Sequence, residues 1–317
     1  MKILVTPRSF ASASNKPMKM LTEKGYEVQL NDIGRPYKKE EMLNLISDID
    51  GIIIGIDELS AEIIEEANEL KVISKYGIGL DNIDINMATE KKITVTNTPA
   101  ANVDAVADLT FGFILSLARR IPEADRKTKS GKWEKIIGKS VWKKTIGIIG
   151  LGKIGKQVVK RAQGFEMNIL VFRRNIFKDK KFAQKYGIKY VNLEKLLQKS
   201  DYITIHVPLN DATRNMISYE ELGKIKKDAF LINTSRGGIV DEEALYDALR
   251  NNKLRGAALD VYNNEPPGKS PLMELDNVIM TPHIGAYTEE AIENMGIQAA
   301  QNLIDVLEGR EPQNRVN

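Results

Sequence analysis

The chain contains no cysteine. That excludes disulfide frameworks, zinc–thiolate sites and thiol nucleophiles together. It has only two histidines, His206 and His283, so the choice of a histidine general acid is narrow. No apolar run approaches the ~18 residues that a membrane span needs, and no membrane partner is expected. The opening MKILVTPRSF lacks the apolar region and cleavage site of a secretory signal. It reads instead as a first strand, Ile3–Val5, entering a loop, and a cytoplasmic location is expected. An excess of one charge is also missing. The 46 basic and 43 acidic residues leave a net charge of +3, which argues against a nucleic-acid partner, since such proteins usually carry a basic face. Low-complexity stretches and short repeats are absent.

What remains is a globular composition in 317 residues, too many for one ordinary core and suited to two domains. Short apolar runs alternate with helical patterns, the rhythm of parallel α/β units. Ile52–Ile54, Val72–Ser74 and Ile93–Thr96 read as strands, Ser60–Leu70 and Asp84–Lys91 as helices. A break at Asn97-Thr98-Pro99 precedes a long helix, Val103–Ile121, expected to stop at Pro122. A second series follows, with strands Ile146–Ile149, Ile169–Phe172, Tyr202–Val207, Phe230–Asn233, Ala257–Asp260 and Val278–Met280. Helices Lys153–Gln163 and Asp241–Asn251 fit between them. The final helix, Glu289–Leu307, presents apolar Ile292, Met295 and Ala299. Packed back on the first domain, it would make that domain discontinuous: residues 1–98 plus 288–317, around a second domain of residues 99–287.

The run Gly150-Leu-Gly152-Lys-Ile-Gly155 follows an apolar strand and opens a helix. In that context the spacing is a dinucleotide loop. Gly150 permits the tight turn, Gly152 lets backbone approach a pyrophosphate, and Gly155 lets helix and strand pack closely. Helix N-terminal amides then face the phosphates. The next strand should end in Asp or Glu if NAD is selected. Here it ends in Arg173-Arg174, with Lys178, Lys180 and Lys181 beyond. Guanidinium groups there suit the 2′-phosphate of NADP, so NADP is favoured over NAD.

Three residues at strand ends suit acid–base work: Arg236, Glu265 and His283. Open α/β sheets place ligands at that edge. An arginine can bind a carboxylate and polarise a keto group, and a histidine can exchange the proton. A carboxylate beside the histidine would favour its charged form and fix its tautomer. Glu265 offers His283 that partner. His206, at another strand end, stays open as the alternative.

These residues lie in runs that resemble the D-isomer-specific 2-hydroxyacid dehydrogenase family, most closely its short-type 3-phosphoglycerate dehydrogenase branch. The runs are YGIGLDNID (76–84), GLGKIG (150–155), HVPLNDATRNMI (206–217), INTSRGGIVDEEAL (232–245), GAALDVYNNEPP (256–267) and TPHIGAYTEEA (281–291). The resemblance implies two Rossmann-like domains with parallel sheets and a cleft between them. Its hinges would fall near residues 97–101 and 285–288. It assigns catalysis to Arg236, Glu265 and His283. It places Lys153, Ile154, Thr234, Ser235, Asp260 and Gly285 at the dinucleotide, with His206, Val207 and Pro208 flanking it. Ile78 and Gly79 would offer amides to the substrate carboxylate. It further implies a homodimer and a small 2-hydroxy or 2-keto acid as substrate; no metal is expected. Gly55 and Lys75 stand where phosphoglycerate dehydrogenases carry arginines, and Arg8 is a candidate replacement for the lost charge. The expected activity is therefore phosphoglycerate dehydrogenase-like, which would serve serine biosynthesis. A glyoxylate or hydroxypyruvate reductase is the alternative. From another class, the alternative is a non-catalytic NAD(P)-sensing binding protein.

Overall fold

The structure is a computed structural model and describes residues 1–175 and 179–317. From the amino terminus run β1 (Lys2–Val5), α1 (Lys16–Thr22), β2 (Glu27–Leu30), α2 (Lys39–Ile46), β3 (Gly51–Ile54), α3 (Ala61–Glu65), β4 (Val72–Lys75), α4 (Ile85–Glu90) and β5 (Thr94–Thr96). Next come α5 (Val103–Arg119), α6 (Ile121–Lys129), β6 (Thr145–Ile149), α7 (Lys153–Gly164), β7 (Asn168–Phe172), α8 (Lys180–Lys185), β8 (Lys189–Tyr190), α9 (Leu193–Lys199) and β9 (Tyr202–Ile205). Then follow α10 (Tyr219–Lys224), β10 (Phe230–Asn233), α11 (Glu242–Arg250), β11 (Gly256–Leu259), β12 (Val278–Met280) and α12 (Glu289–Leu307). The chain divides into two compact units: Met1–Asn102 with Ala286–Asn317, and Val103–Gly285.

The first unit is built on a parallel sheet in the order β2-β1-β3-β4-β5. Alternate strand residues feed two apolar layers. Leu4, Ile52, Ile54 and Ile73 pack with Met42 and Ile46 of α2 and Ile63 of α3. Ile3, Val5, Ile53 and Val72 pack with Leu21 of α1 and with Met295, Ala299 and Leu303 of α12. A sheet covered on both faces needs strands that are apolar throughout, and each such side chain contributes about 1.5–3 kcal/mol when buried.

The second unit holds a parallel sheet in the order β12-β11-β10-β9-β6-β7-β8. The order reverses at β6, between β9 and β7, and such a switch point is where doubly wound sheets bind ligands. Register pairs Ile149 with Ile205, Ile205 with Asn233, Asn233 with Leu259, and Leu259 with Met280. The next residues along each strand, Gly150, His206, Thr234, Asp260 and Thr281, therefore line one edge of the sheet.

Some local readings change. Helix α5 ends at Arg119, Arg120 takes a left-handed φ of 52°, and Pro122 lies in the first turn of α6. Proline is suited to a first turn, where its missing N–H costs nothing, so it starts a helix rather than stopping one. The expected helix Ser60–Leu70 shrinks to Ala61–Glu65, because Ala67 and Asn68 turn the chain through bonds to Ile64 and Glu66. Among the described residues no helix is long and apolar enough to cross a membrane.

Candidate active site

The glycine loop owes its shape to close neighbours. Gly150 has a φ of 97°, and a Cβ there would lie 2.4 Å from the His206 carbonyl oxygen. Its N–H donates to Phe172 O at 2.9 Å, tying the loop to the end of β7. A Cβ on Gly155 would lie 2.3 Å from Gly150 O. Gly152 differs: a Cβ there meets nothing within 4 Å. It caps α7 without a side-chain hydrogen bond, so first-turn amides, those of Lys153 and Ile154 among them, face open space.

His206 and Val207 border this loop. The His206 ring shares a 2.8 Å hydrogen bond between Nε2 and Thr204 Oγ1. Its Nδ1 is buried without a partner, and burial pushes its pKa down to about 3. Pro208 is exposed and accepts Thr213 Oγ1 at 2.7 Å. An open cradle, an uncapped helix start and an orphaned ring nitrogen together fit a dinucleotide.

Beyond β7, Arg173 is half-buried and Arg174 exposed. Arg173 donates to Asp179 at 2.8 Å, and Lys156 of α7 donates to the other oxygen at 2.7 Å. Lys178 lies outside the described residues; Lys180 and Lys181 open α8.

Further along the same edge, Asn233 organises the turn that carries Arg236. Its side-chain oxygen accepts from Ser235 N and Oγ, and its amide donates to Arg236 O at 2.9 Å. Arg236 Nη1 donates to Ser235 O at 2.8 Å, and Thr234 Oγ1 lies 3.2 Å from Thr110 Oγ1 of α5. A Cβ on Gly237 would overlap the Tyr262 carbonyl at 1.8 Å, so glycine is what lets this turn lie against the loop after β11. That loop holds Glu265, which accepts from Tyr262 N at 3.1 Å through Oε1 and meets His283 Nδ1 at 2.6 Å through Oε2. Burial pushes the Glu265 carboxyl up. The hydrogen bond and charge of His283, the Tyr262 amide and the nearby Arg236 outweigh it and hold the group below its usual range.

The His283 loop is anchored by Asp260, which accepts from Thr281 Oγ1 at 2.5 Å, Ile284 N at 2.8 Å and Gly285 N at 2.7 Å. Burial raises the Asp260 pKa despite those donors. His283 has a φ of 52°, a sparsely populated backbone region, and its side chain stays 38% exposed. Arg236, Glu265 and His283 are thus brought together, whereas His206 is engaged with Thr204.

In the first unit, Gly77 N donates to Thr98 Oγ1 and Asn97 Nδ2 donates to Ile78 O at 3.1 Å. These bonds hold a loop whose Ile78 and Gly79 amides donate no hydrogen bond among the described residues. Buried Lys75 donates to Gly55 O at 2.5 Å and Asn82 Oδ1 at 2.7 Å. Exposed Arg8 donates to Gly34 O at 2.5 Å. Sequence reading missed Lys156, although a lysine one turn into the helix after the glycine loop was a visible signal. Asp179, Asn233 and Tyr262 gave no such signal, since their roles depend on how loops fold back.

A glycine loop at a switch point, with a histidine–carboxylate pair on the same sheet edge, marks a nucleotide-dependent oxidoreductase of the α/β class. The family model described as D-isomer specific 2-hydroxyacid dehydrogenase, NAD binding domain, matches residues 111–285, within the second unit. The chain belongs to the D-isomer specific 2-hydroxyacid dehydrogenase family. It is 44% identical over 320 residues to D-3-phosphoglycerate dehydrogenase of Methanocaldococcus jannaschii, covering 100% of this chain but 59% of that relative's length. A glyoxylate reductase of Korarchaeum cryptofilum is 39% identical over 303 residues, 93% of this chain and 91% of that one. The crystal structure of the TT0316 protein from Thermus thermophilus superposes with a TM-score of 0.92 at 37% identity, covering 100% of both chains.

Proposed function

We propose that the chain interconverts a small D-2-hydroxy acid and its 2-keto acid with NAD(P). The observation that carries this reading is the 2.6 Å contact between Glu265 and His283 Nδ1. It fixes the ring's orientation and directs Nε2 outward as the proton donor in reduction, or acceptor in oxidation. Arg236, beside this pair, binds the substrate carboxylate or polarises its keto oxygen. Ile78 and Gly79 offer their amides to the same kind of anion. Gly150, Gly152, Lys153, Ile154 and Gly155 would hold the pyrophosphate. Thr234, Ser235, Asp260, Gly285, His206, Val207 and Pro208 would flank the rest. When bound, the dinucleotide supplies or accepts hydride.

Arg173 follows β7 where an NAD-selective fold carries an acid, which supports a preference for NADPH. An unphosphorylated acid suits the first unit best. Gly55 has no side chain to offer, and Lys75 is turned onto Gly55 O and Asn82. The 44% identity to a phosphoglycerate dehydrogenase supports phosphohydroxypyruvate as the second reading, with Arg8 as the phosphate's partner. A pure sensor would not need all of Arg236, Glu265 and His283. A second copy of the chain is the proposed partner, because Trp133 (90% exposed) and Ile137 (86%) present bulky apolar surface to solvent.

Steady-state reduction of hydroxypyruvate, glyoxylate and phosphohydroxypyruvate, with NADH and NADPH in parallel, tests the proposal. The expected result is the highest kcat/KM with NADPH and an unphosphorylated acid. Failure with every keto acid, despite tight cofactor binding, would restore the sensor.

A further inference from the structure

We propose that Asp179 sets the balance between the two nicotinamide dinucleotides, acting as an internal anion on the two cations that a 2′-phosphate would use. The inference rests on the reading of Arg173 as cofactor-facing. Arg173 leaves β7 directly after Phe172, whose carbonyl accepts the Gly150 N–H. Lys156 belongs to the first turn of α7, its N–H bonded to Gly152 O at 3.0 Å. Both cations therefore stand beside the glycine loop, where the adenosine ribose of a dinucleotide lies in this fold.

One Asp179 oxygen takes Arg173 and the other takes Lys156, at 2.8 and 2.7 Å. Side-chain exposures of 13% for Arg173, 31% for Lys156 and 17% for Asp179 shield these charges better than an ordinary surface pair. The hydrogen bonds from Lys156 and Arg173 hold the Asp179 carboxyl below its usual range. Other contacts seat the start of α8: Ala183 N donates to Asp179 O at 2.9 Å, and the Phe182 ring lies 5.5 Å from Lys156 Nζ. Asp179 is the N-cap residue of that helix, yet its side chain caps no amide, and its φ is 69°, a conformation that costs a non-glycine residue free energy. The carboxylate is turned away from the helix and toward the cations.

The electrostatic consequence is direct. Arg173 and Lys156 alone would present two positive charges to a 2′-phosphate, and with Asp179 the net charge is one. An incoming phosphate, carrying about −1.5 to −2, must share its cations with a carboxylate that repels it. An unphosphorylated ribose can instead donate its 2′-hydroxyl to that carboxylate, as in NAD-selective folds. The site then admits both cofactors, and Asp179 governs their ratio.

Calorimetric titration of the whole chain with 2′,5′-ADP and 5′-ADP tests this without turnover. Asp179→Asn keeps the shape, and asparagine tolerates a left-handed backbone. It should bind 2′,5′-ADP at least about tenfold tighter, a gain of about 1.4 kcal/mol, and 5′-ADP no tighter. Lys156→Gln should lose 2′,5′-ADP affinity selectively. An unchanged ratio of the two Kd values in Asp179→Asn, with an unchanged thermal melt, overturns the proposal. Wild-type binding of 2′,5′-ADP by Arg173→Gln would instead show that the underlying reading of Arg173 is wrong.

Discussion

Replacing Gly152 and Gly155 one at a time with alanine separates binding from packing within four residues. At 152 the added methyl meets no heavy atom within 4 Å, and the φ of −77° suits any residue. The loss of stability should stay under about 1 kcal/mol, the scale of an N-cap change. That methyl nevertheless stands at the open start of α7, where the pyrophosphate would seat. Displacing it should weaken NADH and NADPH alike by at least tenfold, or about 1.4 kcal/mol. At 155 the methyl would lie 2.3 Å from Gly150 O, a backbone atom that cannot swing aside. Overpacking of this kind costs roughly 1–3 kcal/mol. At about 2–4 °C per kcal/mol for a unit of this size, the melting temperature should fall by about 2–12 °C. Thermal melts followed by circular dichroism, with cofactor fluorescence titrations, give both readouts. Wild-type cofactor affinity in Gly152→Ala would refute the reasoning, because no anion could then be seated at that helix start.

Three further outcomes are expected. His283→Ala should lower kcat by about 10²–10⁴-fold, the usual contribution of a general acid–base, while cofactor Kd from fluorescence titration changes less than twofold. An unfolded histidine takes up its proton near pH 6.5, whereas His206, whose Nδ1 is buried without a partner, resists until about 3. Its contribution to stability is complete above pH 6.5, shrinks by about 1.4 kcal/mol per pH unit below it, and is gone near pH 3. Urea unfolding at pH 7, 6 and 5 should therefore show a shallower acid loss in His206→Asn than in wild type. Trp133→Glu with Ile137→Glu should yield a monomer in sedimentation, and an unchanged oligomer would remove this segment from the proposed interface.

Strands written as continuous apolar runs were legible, two of them to the residue. Phe230–Asn233 and Val278–Met280 have the bounds expected from their apolar runs, and the glycine spacing marked α7 because its start follows from local geometry. Strand β2 escaped notice because Glu27 and Gln29 interrupt its apolar residues, a pattern that an edge strand with no fully buried side chain tolerates. Pro122 misled for a different reason: proline at the first turn and proline after the last turn look alike until the left-handed Arg120 is seen.

The site residues divide in the same way. Arg236, Glu265 and His283 could each be placed after a strand from local sequence, but nothing local says which strands are neighbours. That depends on register across β10, β11 and β12, which is set by side chains packed far from the chemistry. Gly237 shows the consequence. In the sequence it is one of two glycines in a turn. In the fold it is the only way the Arg236 turn can lie against Tyr262 O, since a Cβ would sit 1.8 Å away. Tyr262 in turn supplies the amide that holds Glu265, and Glu265 holds His283. A methyl group at 237 should therefore push Arg236 away from the Glu265–His283 pair without touching any of the three. Gly237→Ala should then reduce kcat/KM severely while fluorescence titration still shows cofactor bound. Activity near wild type would mean that the close approach of the two loops is not what assembles the site.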